Sequence, residues 1–150
     1  MYSVSPSVSK DAIHIAKHMR DADVIECKVF NKTPLQAINT AMLMEKNQTL
    51  TLYKDNEPIL IGGVVPESLK VATIWLLSTE KAFEKPITIG KMAVKWVNYI
   101  TIPYEKVHNL VWIENKKAIN LLILLGFYIH PKVIHVNNRD FYYFVRRNTQ

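Results

Sequence analysis

Residues 71 to 127 constrain the fold most tightly, because two apolar strands alternate there with two helices. "VATIWLLS" (71–78) is apolar on both faces, as a central strand is. After Pro86, the residues Ile89, Met92, Ala93, Trp96, Val97 and Ile100 recur at steps of three and four. That is the helical period, and it predicts a helix to about Ile102 that Pro103 ends. "NLVWIE" (109–114) reads as another buried strand. Asn115 then stands where it can cap a second helix, and Gly126 where it can close it in a left-handed conformation. Strand–helix–strand–helix order implies a mixed sheet with helices on its faces. The second helix, in "WIENKKAINLLILLGF" (112–127), is apolar on nearly every side. It is expected to pack on the sheet and to be covered by another element.

The flanking segments extend this plan. Tyr2–Val4 reads as a short strand stopped by Pro6, and residues 9–20 as a helix capped by Ser9. Ile13, Ala16 and Met19 are expected to share its inner face. "DADVIECKVF" (21–30) fits either a helical turn or a strand. Thr33 can cap the amide of Gln36 while Gln36 reaches back, and Pro34 suits a first helical position. Leu35, Ile38 and Met42 then line a helix to about Glu45. "TLTLYK" (49–54), the turn "DNEP" (55–58) and "ILIGGVV" (59–65) form a hairpin. "YIHPKVIHV" (128–136) and "DFYYFVRR" (140–147) form another around "NNRD". The expectation is one α+β domain over residues 1–150, with a central mixed sheet of about seven strands and about four helices on both faces.

Composition narrows the function classes. A chain of 150 residues with 49% apolar residues can fill one core. The net charge of +6 favours anionic partners. Its basic residues are scattered, however, with local groups only at Lys116-Lys117 and Arg146-Arg147, so no nucleic-acid stripe is read. Tyr142, Tyr143 and Phe144, beside those arginines, are the best exposed patch, on an edge that could pair with a partner or a second copy in a homodimer. The single cysteine, Cys27, forms no internal disulfide and is expected as a buried thiol. The opening "MYSVSPSVSK" lacks the apolar run of a signal peptide, and the run around Leu121–Leu125 is too short to span a bilayer. The chain is therefore not expected to be secreted. His14 and His18 share a helix face but lack the glutamate of HExxH and any third ligand, so no metal is expected. His108, His130 and His135 are isolated, and Trp75, Trp96 and Trp112 read as core.

The element order is similar to that of the GNAT (Gcn5-related N-acetyltransferase) fold. Asn115, Ala118, Gly126 and Phe127 resemble that family's last block, in which a strand is followed by Asn, then Ala, then Gly-Phe. A narrower likeness lies in "AKHMRDADVIECKVFNKTPLQAI" (16–38). It resembles the start of the GNAT-like internal virion proteins of T7-like phages, with Arg20, Asp23, Glu26 and Pro34 in the matching places. "IWLLSTE" (74–80) is similar to their central strand.

The resemblance implies an acetyl-CoA cleft between two parting strands, Thr73–Ser78 and Asn109–Glu114, with a phosphate loop at 78–91. If CoA binds, Leu76, Leu77, Ser78, Lys85, Ile87, Thr88 and Asn115 are the residues implied to hold it. The loop lacks the family's early glycines, which let main-chain amides approach a pyrophosphate. Its first glycine is Gly90, inside the following helix. The family's tyrosine acid falls seven residues after Asn115, where this chain has Leu122. The central strand carries no carboxylate; Glu67 and Glu114 are the nearest candidate bases, each also readable as a solvated strand end. The expectation is a phage-type GNAT-like protein with a degenerate acetyl-CoA site. It would act in the host cytoplasm or the virion, as a virion component or a binder of phage or host proteins. The alternative is an active acetyl-CoA-dependent N-acetyltransferase with a divergent pyrophosphate loop. Trp75 and Phe83 are the side chains large enough to plug the cleft.

Overall fold

The computed structural model describes residues 1–44 and 48–148. Seven strands form one sheet: β1 (Tyr2–Pro6), β2 (Gln48–Lys54), β3 (Glu57–Pro66), β4 (Val71–Ser78), β5 (Lys106–Trp112), β6 (Tyr128–Val136) and β7 (Arg139–Arg147). Their order is β1-β2-β3-β4-β5-β7-β6. Among the described residues only β4 and β5 run parallel; the helix between them supplies the crossover such a pair needs. The described residues hold five α-helices: α1 (Ser9–Lys17), α2 (Asp21–Val29), α3 (Pro34–Leu43), α4 (Pro86–Ile100) and α5 (Lys116–Leu124). That is one more than expected, because residues 21–29 are helix. Arg20, Asp23 and Cys27 are buried at steps of three and four, the helical period.

The helices divide between the two faces. Under α4 and α5, Ile74, Val107, Val111 and Phe144 pack against Trp96 and Val97. Under α1 to α3, Ile61 and Leu77 pack against Ala12, Ile15, Met19 and Ile38. Each fully buried Ile or Leu contributes roughly 1.5–3 kcal/mol relative to exposure. Two hairpin turns carry two consecutive residues at positive φ: Asp55 (49°) with Asn56 (69°), and Asn137 (45°) with Asn138 (67°). Asn and Asp tolerate that conformation, and its twist matches the flanking strands.

The helix starts follow local hydrogen bonding. Thr33 Oγ1 accepts the Gln36 N–H at 3.2 Å, and Gln36 Oε1 accepts the Thr33 N–H at 2.9 Å, the reciprocal cap expected for α3. The expected end of that helix near Glu45 lies outside the described residues. In α1 the cap position is Val8, not Ser9, and the inner face is Ala12, Ile15 and Met19, while Ile13 is exposed. The cause is Asp11. Its carboxylate accepts the Val8 N–H at 2.9 Å and the Tyr53 O–H at 2.5 Å, fixing the helix start against β2.

Three further expectations are corrected. β5 begins at Lys106 and stops at Trp112, so Glu114 lies in the turn beyond it. α5 buries Leu121 and Leu122, with Leu125 just beyond it, but Ile123 and Leu124 are each 56% exposed, so nothing covers its outer side. The strand carrying Tyr142 and Tyr143 is interior, with β5 and β6 on either side, and Phe144 is buried. The free edge is β6, where Pro131 and a register shift between Ile129 and Val133 interrupt the ladder.

Two glycines test this packing. A Cβ on Gly63 would lie 1.9 Å from the Gln48 carbonyl oxygen on β2. A Cβ on Gly126 would meet nothing within 4 Å, although φ there is +87°. Gly63→Ala should therefore cost more than about 2 kcal/mol through main-chain overlap, and Gly126→Ala about 1 kcal/mol through conformation alone. Urea denaturation of both variants measures the difference; equal losses would refute the account of β3.

Candidate functional site: a cleft between parting strands

β4 and β5 pair only from Val71–Thr73 to Lys106–His108 and then separate. Asn109 stands at the parting. Its Nδ2 donates to the Ile74 carbonyl at 2.8 Å, and its Oδ1 accepts the Leu110 N–H at 2.8 Å. The side chain thus satisfies one main-chain group on each strand that the missing ladder would leave free.

At the other end a buried polar network spans the gap. Arg20, at the head of α2, donates to Asp23 Oδ1 at 3.2 Å and to Asn115 Oδ1 at 3.0 Å. Asp23 Oδ2 accepts the Ser78 N–H of β4 at 2.9 Å, and the Arg20 N–H donates to the Ser78 carbonyl at 2.9 Å. Glu26 Oε2 accepts the Trp112 N–H of β5 at 3.1 Å and Asn115 Nδ2 at 2.8 Å. Arg20, Asp23 and Asn115 are buried. One helical turn separates Asp23 from Glu26, so α2 presents one carboxyl to each strand.

Between the Asn109 wedge and this network lies a cavity of about 400 Å³, lined by Leu76, Trp75, Cys27, Phe30 and Leu122 among others. Main-chain polar groups alternate in direction along a strand. Ser78 turns toward the cleft, and Thr79 turns toward β3, donating its N–H to the Ile59 carbonyl. Leu76 therefore turns its N–H and C=O into the cavity. Among the described residues no group bonds them.

Burial, and then the charge of Asp23, push the Glu26 carboxyl up to about 7. Burial raises Asp23 as well, against the pull of Arg20 and the Ser78 amide. One guanidinium thus faces two carboxyls, and they behave as a coupled pair. Burial and both carboxylates push the Cys27 thiol up to about 12, which leaves it protonated and unreactive.

The loop after β4 is a wall. Thr79 leads into a short 3₁₀ turn, Glu80–Phe83, and the Phe83 ring lies 4.5 Å from the Arg20 guanidinium carbon. An outer groove of about 390 Å³ runs between the start of α4 and α5, and Phe83 and Leu121 line both it and the inner cavity. Lys85, Ile87 and Thr88 are exposed at this groove's end of the loop. Pro86 opens α4 without an N–H to offer an anion. Gly90 faces α5, where an added Cβ would sit 2.2 Å from Leu124 Cδ2, so this glycine serves helix packing and not an anion cradle.

The residues read from sequence for CoA are thus divided. Leu76 offers free main-chain groups. Ser78 and Asn115 are bonded within the network, and Leu77 pairs through its main chain with β3. Lys85, Ile87 and Thr88 stand outside the Phe83 wall. These residues do not fit a CoA pantetheine running from that loop into the cleft. Leu122, buried in the cavity wall, offers no proton. Glu114 does not line the cavity. Glu67 lies beyond the wedge, on the face under α1 to α3. It accepts from the Thr73 hydroxyl at 2.8 Å and contacts His108 Nε2 at 2.5 Å, while His108 Nδ1 meets the Tyr143 hydroxyl at 2.8 Å. Partial burial pushes Glu67 up, but the Thr73 and His108 bonds outweigh it and hold the carboxyl below its usual range. In the sequence His108 stands isolated and nothing marks Asn109 out. The spacing of Arg20, Asp23 and Glu26 on one helix was the available signal for the network. Among the described residues no group of three His, Cys, Asp or Glu is placed to hold a metal ion, and no helix is long and apolar enough to cross a membrane.

Glu26 sets a pH dependence. The folded carboxyl keeps its proton to about pH 7, whereas the unfolded one loses it near 4.5. The stability it contributes is full below 4.5 and is lost as pH rises to about 7. That loss amounts to at most about 3 kcal/mol, less where water in the cavity screens the charge. Denaturation midpoints measured from pH 4 to 8 should fall across this window in the native chain and stay flatter in Glu26→Gln. Parallel curves would show that Glu26 titrates normally.

No protein-family model and no curated protein matches this chain. Solved structures do. The ribosomal-protein-S18-alanine N-acetyltransferase of Escherichia coli superposes with a TM-score of 0.72 at 12% identity, over 98% of this chain and 94% of that one. Spermidine N-acetyltransferase of Vibrio cholerae, in complex with CoA and spermine, gives 0.70 at 12% identity over 97% and 95%. A GNAT-family acetyltransferase of Bacillus anthracis gives 0.69 at 16% identity over 97% and 94%. The likeness extends over nearly the whole of this chain: it has the GNAT fold.

Proposed function

We propose that this protein keeps the GNAT scaffold but not acetyl transfer from CoA, and that it works by binding a protein partner. The observation that carries this reading is that the chain's own side chains occupy the strand amides at the end of the cleft. Asp23 and Glu26 occupy the amides of Ser78 and Trp112, and Phe83 packs on Arg20 between the inner cavity and the outer groove. A carboxylate that takes a strand amide excludes any ligand that needs the same donor. Leu122 in place of a hydroxyl, and a loop without early glycines, support the same conclusion. The resemblance of residues 16–38 to phage internal virion proteins supports the narrower reading of a virion component or a binder of phage or host proteins, acting in the virion or the host cytoplasm.

One observation favours a second reading. The free N–H and C=O of Leu76 face a cavity of about 400 Å³, enough for an acyl-amide chain if Phe83 swings aside. That would be an acetyl-CoA-dependent N-acetyltransferase with a divergent loop.

Calorimetric titration with acetyl-CoA separates the two. The first reading expects no heat beyond dilution at millimolar ligand, in the native chain and in Leu76→Pro alike. Saturable micromolar binding, lost on removing the Leu76 amide, would overturn it in favour of the second. Mass spectrometry of purified phage particles tests the virion assignment separately.

A further inference from the structure

The sheet face under α1 to α3 is only partly covered. Register places Lys106 beside Arg147, His108 beside Val145, and Leu110 beside Tyr143 on this face, with Tyr128 of β6 beyond Val145. α2 reaches as far as Phe141, where Phe30 meets it at 5.8 Å between ring centroids. Past that contact the β5–β7–β6 corner faces solvent: Tyr128 is 58% exposed, and His130, Lys132 and Arg147 are exposed.

Four rings make a continuous row across this corner. Tyr128 lies 4.8 Å from His130, His130 lies 5.5 Å from Tyr143, and Tyr143 lies 5.4 Å from His108. Lys106 and Arg147 flank the row at one end, and Lys132 follows it along β6. Among the described residues the ion pairs nearby are Lys70–Glu105 at 3.3 Å and Glu67–His108. Neither engages Lys106, Lys132 or Arg147. Glu67 and Glu105 are carboxylates at this corner: Glu67 Oε2 accepts from the Thr73 hydroxyl and contacts His108, and Glu105 pairs with Lys70. The residues are scattered through the sequence from 106 to 147, so no stripe shows until the strands are laid side by side.

We infer that this corner is a platform for single-stranded nucleic acid. The rings meet edge to face at Tyr128–His130 (82°) and His108–Tyr143 (80°), so the exposed rings of Tyr128 and His130 are the ones that can stack with unpaired bases of any sequence. Cations at the rim meet the phosphates, and a chain of net charge +6 adds long-range attraction. A duplex keeps its bases stacked inside and cannot use the rings. The inference does not depend on whether the cleft binds CoA.

Fluorescence anisotropy with a labelled oligothymidylate, and with a duplex of the same length, tests it on the full chain. The single strand should bind more tightly than the duplex, with affinity falling as salt rises. Tyr128→Ala/His130→Ala changes exposed side chains only, and circular dichroism checks its fold. It should weaken single-strand binding about tenfold at fixed salt. Lys132→Glu/Arg147→Glu should lower affinity and flatten the salt dependence. Lys91→Glu/Lys95→Glu makes the same change of net charge on α4, on the opposite face, and should have the smaller effect. Three results would overturn the inference. One is no salt-sensitive binding to the single strand, which would leave the face to a protein partner. The others are a ring variant that binds like the native chain, and an α4 variant as weak as the rim variant.

Discussion

The separation of β4 from β5 is the constraint on which the rest of the structure depends. Parting two neighbouring strands strips partners from a row of buried main-chain groups, each costing free energy comparable to a lost hydrogen bond. The chain answers group by group. Asn109 satisfies the first carbonyl and amide past the parting, Asp23 and Arg20 satisfy Ser78, and Glu26 satisfies Trp112. Among the described residues the Leu76 pair is left without a partner. Elsewhere α2 supplies those partners to both strands from within the chain.

That substitution has its own cost, which the environment of the carboxyls displays. Two acids and one guanidinium removed from water cannot all carry full charge comfortably, so one acid is driven toward its protonated form. A buried network of this kind holds a geometry more than it adds stability. It fixes α2 against both strands, and with α2 it fixes the Arg20–Phe83 stack that separates the inner cavity from the outer groove.

Much of this was legible in the sequence, for identifiable reasons. The strands, α4, the Thr33 box, the Asn115 cap and Gly126 each follow from a local rule of period, cap or conformation. The architecture followed from element order. What sequence left open was set by contacts distant in the chain. The apolar residues of 21–30 follow one another at steps of one and two, so period does not choose helix over strand; the partners of Asp23 and Glu26, on β4 and β5, decide it. The start of α1 was misplaced because Asp11 answers to Tyr53. β7 looked like an edge because chain order says nothing of sheet order once a strand inserts between two others. The aromatic–basic corner was invisible for the same reason: its members sit on three strands.

The narrow β4–β5 junction has a consequence for how the molecule comes together. Val71–Thr73 against Lys106–His108 is all the ladder that joins the leaf β1–β4 to the leaf β5–β7. The clasp at the far end, Arg20 to Asn115, links residues 95 apart in the chain. β2, β3 and β4 follow one another in chain and sheet, and β6 and β7 form a hairpin, so each leaf contains pairings made from near contacts, whereas the clasp must wait for a long loop to close. The two leaves thus meet as a hinged book whose spine is three residues tall and whose latch forms last.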